Sequence, residues 1–252
     1  MLEDDFNDCL AKAIRGHGGT IAHLAKAAGI TESRITSCLN GTEDAGVIQS
    51  IAPHLQLNPD RLLALKSYHP KVPDVLGLTR VVSPFGHLGV NAFIVNYGAT
   101  TLLFDTGTDA KKLHELAPSP TALFITHGHP DHNQAVSEFK HTKVYQPNQL
   151  HHGEQLKFGT LTLKVLDVSG HYTPARAYFI EGLTKPVCII GDCLFAGSIG
   201  GCTGSENYTT ALANIKDHLW PLPNETILCP GHGPLTSVSQ EKENNPFFSP
   251  PH

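Results

Sequence analysis

The segment THGHPDH, residues 126–132, places three histidines and one aspartate within six residues. It directly follows the apolar run ALFI, residues 122–125, which predicts a buried strand that ends in a loop. Packing gives no reason for so many imidazole and carboxylate groups in a surface loop. Loops carried on a rigid sheet are where binding and catalytic residues are concentrated. The segment therefore predicts a polar site at the end of this strand.

Other predicted strands also end at a histidine or an aspartate. His171 follows LKVLDVSG, Asp192 follows VCIIG, and His232 follows ETILCPG. Imidazole and carboxylate ligands suit zinc, iron and manganese, and a site without thiolate argues against a closed structural zinc. Two cations about 3.5 to 4 Å apart repel each other, so a site for both needs a bridging carboxylate and hydroxide. The strand ends together supply seven groups that can hold two metal ions: His127, His129, Asp131, His132, His171, Asp192 and His232.

Composition predicts a globular protein with reduced thiols. The 252 residues are enough for a sizeable core, in one large domain or two unequal ones. The formal net charge of −5 disfavours a chain whose main role is to coat nucleic acid. The six cysteines form no C-x-x-C pair. Because the first residues, MLEDDFNDC, lack the pattern of a secretory signal and no apolar run reaches the roughly 20 residues of a membrane span, we expect a cytoplasmic protein without a membrane partner.

The first part of the chain shows helical spacing and almost no strand-like alternation. TIAHLAKAAGI predicts one helix, TESRITSCLNG a second with Thr31 as its N-cap, and NPDRLLALK a third capped by Asn58. The segment YHPKVPD, residues 68–74, contains two prolines and predicts a linker. The sequence therefore predicts a small all-α domain, residues 1–70, followed by an α/β domain, residues 71–252.

Residues 8–66 resemble the helix-turn-helix domain of the Cro/C1 repressor type, with residues 31–40 as the recognition helix. The outward side of that helix has Arg34 as its only cation, and residues 1–70 carry six Lys and Arg against eight Asp and Glu. Phosphate binding needs more cations than this, so DNA stays an alternative partner that the charges disfavour. The preferred interpretation is a domain that pairs two chains. We expect the contact to use apolar side chains left exposed, such as Val47, Ile51, Leu62 and Leu65, and deletion of this domain to leave an active body.

The second part of the chain alternates short apolar runs with glycines and helical segments. Helices are expected around residues 110–116, 134–139 and 209–218. The runs that predict strands are NAFIVNYG, TTLLFDTG, TALFITHG, TKVYQP, LTLKVLDVSG, ARAYFIEG, PVCIIGD and ETILCPGHG.

THGHPDH resembles the T-H-x-H-x-D-H signature of the metallo-β-lactamase fold, which implies an αββα sandwich. GDCLFAGSIG and PGHGPLTSVSQEKENNPF resemble further segments of the compact glyoxalase II-like hydrolases of that fold, over about residues 75–245. The resemblance leaves five other histidines outside the site: His114, His141, His151, His152 and His218. It places His127, His129 and His171 on one metal, Asp131, His132 and His232 on a second, and Asp192 between them, with Asp105 in support. Zinc is the expected metal, with iron or manganese as alternatives.

The resemblance implies a binuclear metal-dependent hydrolase of glyoxalase II type, in which a metal-bridging hydroxide cleaves an acyl thioester or related ester. Asp131 and Asp192 are the expected catalytic residues, and Tyr172, Arg176 and Tyr208 the expected substrate contacts. GHYTPAR and GSIGGC depart from the family's G-H-T-P-G and G-S-I-G-R, which leaves the substrate open. The alternatives are a lactonase, a mononuclear-iron persulfide dioxygenase, and a DNA-binding regulator whose α/β domain senses a metabolite.

Overall fold

The computed structural model describes residues 1–86 and 89–248. The chain begins with short helices whose ends follow capping side chains. Thr20 accepts a hydrogen bond from His23 N, Asp44 from Val47 N, and Asn58 from the amides of Asp60 and Arg61. The helices are α1 (Phe6–Gly16), α2 (Ile21–Ala28), α3 (Glu32–Leu39), α4 (Ala45–Ile51) and α5 (Pro59–Ala64), with 3-10 turns at Ala52–Leu55 and Leu65–Ser67. We call residues 1–67 the head.

The predicted pair of helices on either side of Gly29 is present. Gly29 has φ of 66°, a left-handed conformation that glycine adopts without a Cβ clash, and it ends α2 three residues before α3 begins. On the outward side of α3, the guanidinium of Arg34 lies 2.6 Å from Asp44 Oδ2. The one cation of the predicted recognition helix is therefore already paired with a carboxylate.

The apolar side chains that we expected on the surface of the head are buried. Val47 and Ile51 are 0% exposed, Leu62 is 1% exposed and Leu65 is 3% exposed. They pack in the same cluster as Leu10 of α1 and the inner sides of the neighbouring helices. The expectation of exposed apolar contacts at these four positions is wrong, because the head uses them for its own core.

After the head, the chain forms two sheets. The first contains β1 (Leu78–Ser83), β2 (Val90–Tyr97), β3 (Thr100–Phe104), β4 (Ala122–Phe124) and β5 (Lys143–Tyr145), in that order. The strands that follow are β6 (Gln155–Phe158), β7 (Leu161–Asp167), β8 (Arg176–Glu181), β9 (Val187–Gly191), β10 (Leu194–Phe195), β11 (Ser198–Ile199), β12 (Ile227–Pro230) and β13 (Thr236–Ser237). The second sheet has the order β13-β12-β9-β8-β7-β6, and β10 pairs only with β11.

Helices lie outside both sheets. They are α6 (Lys111–Leu116), α7 (Pro130–Asn133), α8 (Gly204–Asn214) and α9 (Val238–Asn244), with a π turn at Ile215–Leu219 after α8 and 3-10 turns at Val136–Glu138 and Pro147–Gln149. In the part of the chain that the structure describes, no helix is both long and apolar enough to span a bilayer.

Successive side chains along each strand face opposite sides of the sheet and so pack in different layers of the fold. Phe93 and Val95 of β2 pack in the core between the sheets, whereas Ile94, between them, packs on the outer side with α6. In β9, Ile189 faces the inner core and Ile190 the opposite side. The chain from residue 78 onward is therefore an α/β sandwich with the layers helix, sheet, sheet and helix, the αββα arrangement that was expected.

The outer face of the second sheet is covered by α8 and by the head. One cluster of buried side chains contains Leu10 and Ile35 from the head together with Ile190 of β9 and Phe247 near the end of the described chain. Packing there is close, since a Cβ placed on Gly16 would lie 2.3 Å from the ring of Tyr208. The head and the sandwich therefore share one continuous hydrophobic core.

The segment predicted as a linker is held against the sandwich by hydrogen bonds. The Tyr68 hydroxyl donates to Glu241 Oε1 at 2.6 Å. Lys71 exchanges two backbone hydrogen bonds with the side-chain amide of Gln240, at 2.8 and 3.0 Å. Both partners lie in α9, so this segment is anchored where it passes the second sheet.

Candidate metal centre

Three imidazole rings converge at the end of β4. His127 follows that strand, His129 is the residue before the first turn of α7, and His171 follows β7. The Nδ1 atom of His129 lies 3.0 Å from Nε2 of His127 and 3.1 Å from Nε2 of His171. A single cation can reach all three nitrogens, so these rings form one ligand group.

A second group lies beside the first and is more deeply buried. Asp131 and His132 lie within α7, which begins at Pro130, and His232 follows β12. The Oδ2 atom of Asp131 is 3.2 Å from Nε2 of His232 and 3.7 Å from Nε2 of His132. All three residues are at most 6% exposed.

Asp192 lies between the two groups. It follows β9, which runs parallel to β12, so the carboxyl ends of these strands bring Asp192 and His232 together. Its Oδ1 is 3.2 Å from Nε2 of His132, and its Oδ2 is 3.4 Å from Nε2 of His232. The same Oδ2 is 3.8 Å from Nε2 of His171 and 3.9 Å from Nε2 of His127. One carboxylate therefore faces both groups, as a bridging ligand must.

Asp105 orients part of the site without joining either group. Its Oδ2 accepts hydrogen bonds from His132 Nδ1 and from the Thr126 hydroxyl, both at 2.8 Å, and its Oδ1 accepts one from Thr126 N at 2.7 Å. Since the Thr126 hydroxyl gives its proton to Asp105, it accepts from His127 Nδ1 at 3.0 Å. Asp105 has φ of 57°, which is costly for a residue other than glycine and is found where a site requires it. The supporting role expected for Asp105 agrees with these contacts.

Backbone carbonyls orient two further rings. His171 Nδ1 donates to Gly201 O at 2.6 Å, and His232 Nδ1 donates to Gly89 O at 2.9 Å. In each case the proton sits on the nitrogen that faces away from the cage, which leaves Nε2 free to bind a cation. We call the seven converging residues the cage: His127, His129, Asp131, His132, His171, Asp192 and His232.

Burial and charge act differently on the two halves of the cage. Burial lowers the pKa of His127 to about 2, and the neighbouring His132 acts in the same direction. For His232, burial alone would lower the pKa, but the carboxylates of Asp131 and Asp192 outweigh it and raise the pKa to about 10. His132 follows the same pattern, since Asp192 and Asp105 raise its pKa well above the usual value despite burial. The second group thus attracts positive charge strongly.

The residues present fit a pair of cations. The buried Nε2 atom of His132 and Oδ1 atom of Asp192 face each other at 3.2 Å without forming a hydrogen bond, and neither has another hydrogen-bond partner among the described residues, which is costly unless something binds them. Gly231 leaves the space that they need, because a Cβ there would lie 2.1 Å from Asp192 Oδ1 and 2.4 Å from His132 Cε1. The donor set is nitrogen and carboxylate oxygen, which suits zinc, iron and manganese alike.

Metal content should fall in two steps as the pH falls. A raised pKa means that His132 and His232 carry protons at neutral pH, and a metal must displace them, so affinity at the second group weakens as pH drops. His127 and His171 have lowered pKa values, stay neutral, and should keep their metal. Equilibrium dialysis from about pH 7.5 to about pH 5.5 should release about one of two metals. The His132→Gln variant should hold about one metal ion already at the higher pH. Loss of both metal ions at a single pH would contradict this order of release.

The predicted substrate contacts have different surroundings. Tyr172 lies at the cage, with its ring centroid 4.9 Å from that of His129. The Arg176 guanidinium donates to Leu150 O and Ala175 O at 2.9 Å and lies 3.2 Å from Asp167 Oδ1. Tyr208 is 4% exposed and packs on the head. Backbone acceptors hold the Arg176 guanidinium and burial encloses the Tyr208 ring, and substrate contact at these two residues stays a prediction.

The histidines expected outside the site lie outside the cage. His141, His151 and His152 are exposed. His114 stacks on Phe139, with 4.5 Å between ring centroids, and His218 Nδ1 donates to Asp167 O at 2.6 Å.

Sequence reasoning missed the head's approach to the cage. Lys12 of α1 donates to Ile199 O at 2.8 Å and lies 5.1 Å above the ring of Phe195, whose centroid is 5.9 Å from that of His232. No spacing in the sequence signals this contact, because it joins residues nearly 200 positions apart in the chain.

Comparison with known proteins agrees with this geometry. Residues 85–163 match the model of the Metallo-beta-lactamase superfamily. The probable metallo-hydrolase YqgX of Bacillus subtilis is 28% identical over 204 residues, which cover 66% of this chain and 95% of the relative. The hydroxyacylglutathione hydrolase GloC of Haemophilus influenzae is 29% identical over 185 residues, which cover 58% of this chain and 86% of the relative.

Solved structures give the same result. BLEG-1 B3 metallo-beta-lactamase has a TM-score of 0.58 and 29% identity, covering 68% of this chain and 99% of its own. TTHA1623 in a di-iron-bound form has a TM-score of 0.55 and 28% identity, covering 67% of this chain and 99% of its own. Residues 85–163 therefore match the metallo-β-lactamase superfamily, a superfamily of metal-dependent hydrolases, and about two thirds of the chain are similar to these two solved structures.

Proposed function

We propose that the protein is a binuclear metal-dependent hydrolase of glyoxalase II type that cleaves an acyl thioester or a related ester. The observation that carries the proposal is Asp192, whose two oxygens lie 3.2 to 3.9 Å from four imidazole nitrogens in both ligand groups. A carboxylate shared in this way is what a pair of neighbouring cations requires.

Each part of the site has a place in hydrolysis. Two bound cations would supply Lewis acidity for a carbonyl oxygen and make a water molecule acidic enough to act near neutral pH. His127, His129 and His171 would hold one cation, and Asp131, His132 and His232 the other. Asp131 and Asp192 would offset the charge of the cations, and their oxygens are the acceptors nearest to both groups for a proton released in the reaction. Tyr172, beside His129, is the proposed substrate contact.

The relatives support a thioester as substrate. The matched chain from Haemophilus influenzae carries the name hydroxyacylglutathione hydrolase, which denotes cleavage of an acyl group from glutathione. A thiolate with a pKa near 8.5 leaves readily and needs little help from a protein acid. Zinc is the proposed metal, although a di-iron form of a similar structure shows that this fold also takes iron.

The other candidates have less support from the site. A mononuclear-iron dioxygenase would not need the complete second group, in which His132 Nε2 is buried without a partner among the described residues. A lactonase would use the same ligands, so substrate tests must separate it from a thioesterase. A DNA-binding regulator would need free cations on α3, where Arg34 is paired with Asp44.

Purified protein should hydrolyse a panel of acyl thioesters faster than lactones of similar size. His232→Ala should abolish this activity, because the ring lies 3.2 Å from Asp131 and 3.4 Å from Asp192. His151→Ala is the matched control, since that ring is exposed and outside the cage, and it should keep wild-type rates. Release of thiol can be followed with a thiol-reactive dye. Equal damage from both substitutions, or faster turnover of persulfides with oxygen uptake, would contradict the proposal.

A further inference from the structure

The first residues of the chain lie against the cage. Gly233, next to His232, has φ of 70°, and a Cβ there would lie 3.2 Å from Glu3 N and 3.4 Å from Glu3 Cβ. Glu3 thus packs closely against the loop that carries His232, at a left-handed backbone position that favours glycine.

An ion pair of the head fixes this segment. Lys12 Nζ pairs with Asp4 Oδ2 and also donates to Ile199 O at 2.8 Å, while Asp4 is 9% exposed. Both groups of the pair are largely withdrawn from water, so it should hold position better than a surface pair. The Lys12 ammonium is therefore bonded to Asp4 and to Ile199 O, while its charge also reaches the neighbouring Glu3.

Glu3 lies beside the turn at Gly233, next to the cage residue His232. Its Oε2 is buried and has no hydrogen-bond partner among the described residues. Burial raises the pKa of Glu3, and like charge on Asp4 and Asp192 acts in the same direction, whereas His232 and Lys12 lower it. Glu3 belongs to neither ligand group. A buried carboxylate oxygen in this position lacks a donor that a bound molecule can supply.

We propose that Glu3 is a specificity-determining residue: it selects acyl substrates that carry an ammonium group next to the metal cage and disfavours substrates that carry a carboxylate there. The inference rests on the proposed function, since it assumes that the cage takes the substrate. An ammonium would give the unpartnered Glu3 oxygen a charge-assisted hydrogen bond. A carboxylate would meet like charge in a site partly shielded from water, which weakens binding.

Two small thiols test the proposal without hydrolysis. Cysteamine and 3-mercaptopropionate both bind metal through a thiolate and carry opposite charges on the same two-carbon chain. Calorimetric titration of metal-loaded protein gives the ratio of their dissociation constants. In Glu3→Gln the preference for cysteamine should fall by about tenfold relative to wild type, because the carboxylate charge is gone. The two thiols differ in acidity, but this difference cancels when the ratio for Glu3→Gln is compared with the ratio for wild type, because both proteins are titrated with the same two thiols.

Controls keep the outcome decisive. Glu32→Gln removes one exposed carboxylate of the head and should leave the ratio at the wild-type value. Glu3→Asp keeps the charge and should keep the preference. An unchanged ratio in Glu3→Gln, or loss of its metal, would overturn the proposal, the latter by making Glu3 part of the metal site. A protein that shows the expected ratios but cleaves no thioester would contradict the proposed function and leave the role of Glu3 standing.

Discussion

Replacing Asp192 by asparagine should reduce bound metal from about two equivalents to about one and lower hydrolysis by at least about a thousandfold. Asparagine keeps the shape of the side chain but removes the charge that faces both ligand groups. Without that charge, the second cation meets the repulsion of the first, and of the two cage carboxylates Asp131 alone remains to offset it. Metal analysis and thioester hydrolysis on the same preparation measure both effects.

Asp217→Asn is the matched control for this experiment. Asp217 is exposed in the π turn after α8 and lies outside both ligand groups, so the change should leave metal content and rate at wild-type values. If Asp192→Asn kept two metals and a rate within about threefold of wild type, Asp192 would not be the shared ligand.

Tyr208→Ala should lower the free energy of unfolding by about 3 to 5 kcal/mol and leave the metal content unchanged. Tyr208 is 4% exposed, and its ring packs directly on Gly16. The ring centroid lies 5.3 Å from that of His17 and 6.5 Å from that of Phe247. Removing it leaves a cavity between the head and the sandwich. Chemical denaturation of the metal-loaded protein, followed by circular dichroism, measures the change.

Tyr97→Ala removes a similar ring from the end of β2, where it is 40% exposed, and should cost less than about 1 kcal/mol. The two interpretations of Tyr208 differ in their kinetics. A substrate contact would raise KM and spare stability, whereas the packing seen here predicts lost stability with little change in KM.

Because the head and the sandwich share one hydrophobic core, removing the head should destabilise the sandwich. Deleting residues 1–70 would expose the ring of Tyr208 and the outer face of β9, which carries Ile190. We now expect such a fragment to aggregate or to unfold at lower temperature, rather than to remain an active body. The domain boundary near residue 70 stays a proposal about sequence organisation.

Much of the sandwich could be predicted because local pattern and tertiary structure agree there. Each of the eight apolar runs contains a strand, and the helix expected at residues 110–116 is α6. The strands β1, β6, β10, β11 and β13 were missed, since β1 and β6 are only partly buried and β10, β11 and β13 have two residues each. Residues 134–139 form only a 3-10 turn after α7, and α8 begins at Gly204, before the expected start at residue 209.

The convergence of the seven cage residues could be predicted because they occupy a motif and three strand ends. The sequence did not reveal what lies around it. Arg176 has the charge of a substrate-binding residue, yet backbone carbonyls of Leu150 and Ala175 hold it. Glu3 shows no motif, and its place beside Gly233 depends on how α1 packs against the second sheet. Such long-range contacts leave no periodicity in the sequence.

Metal analysis of the purified, reconstituted full-length chain tests the central claim most directly. Two complete ligand groups that share Asp192 predict about two equivalents of zinc, iron or manganese per chain at neutral pH, with thioester hydrolysis rising in proportion to the second equivalent. A single tightly held metal that already gives full activity would contradict the binuclear account.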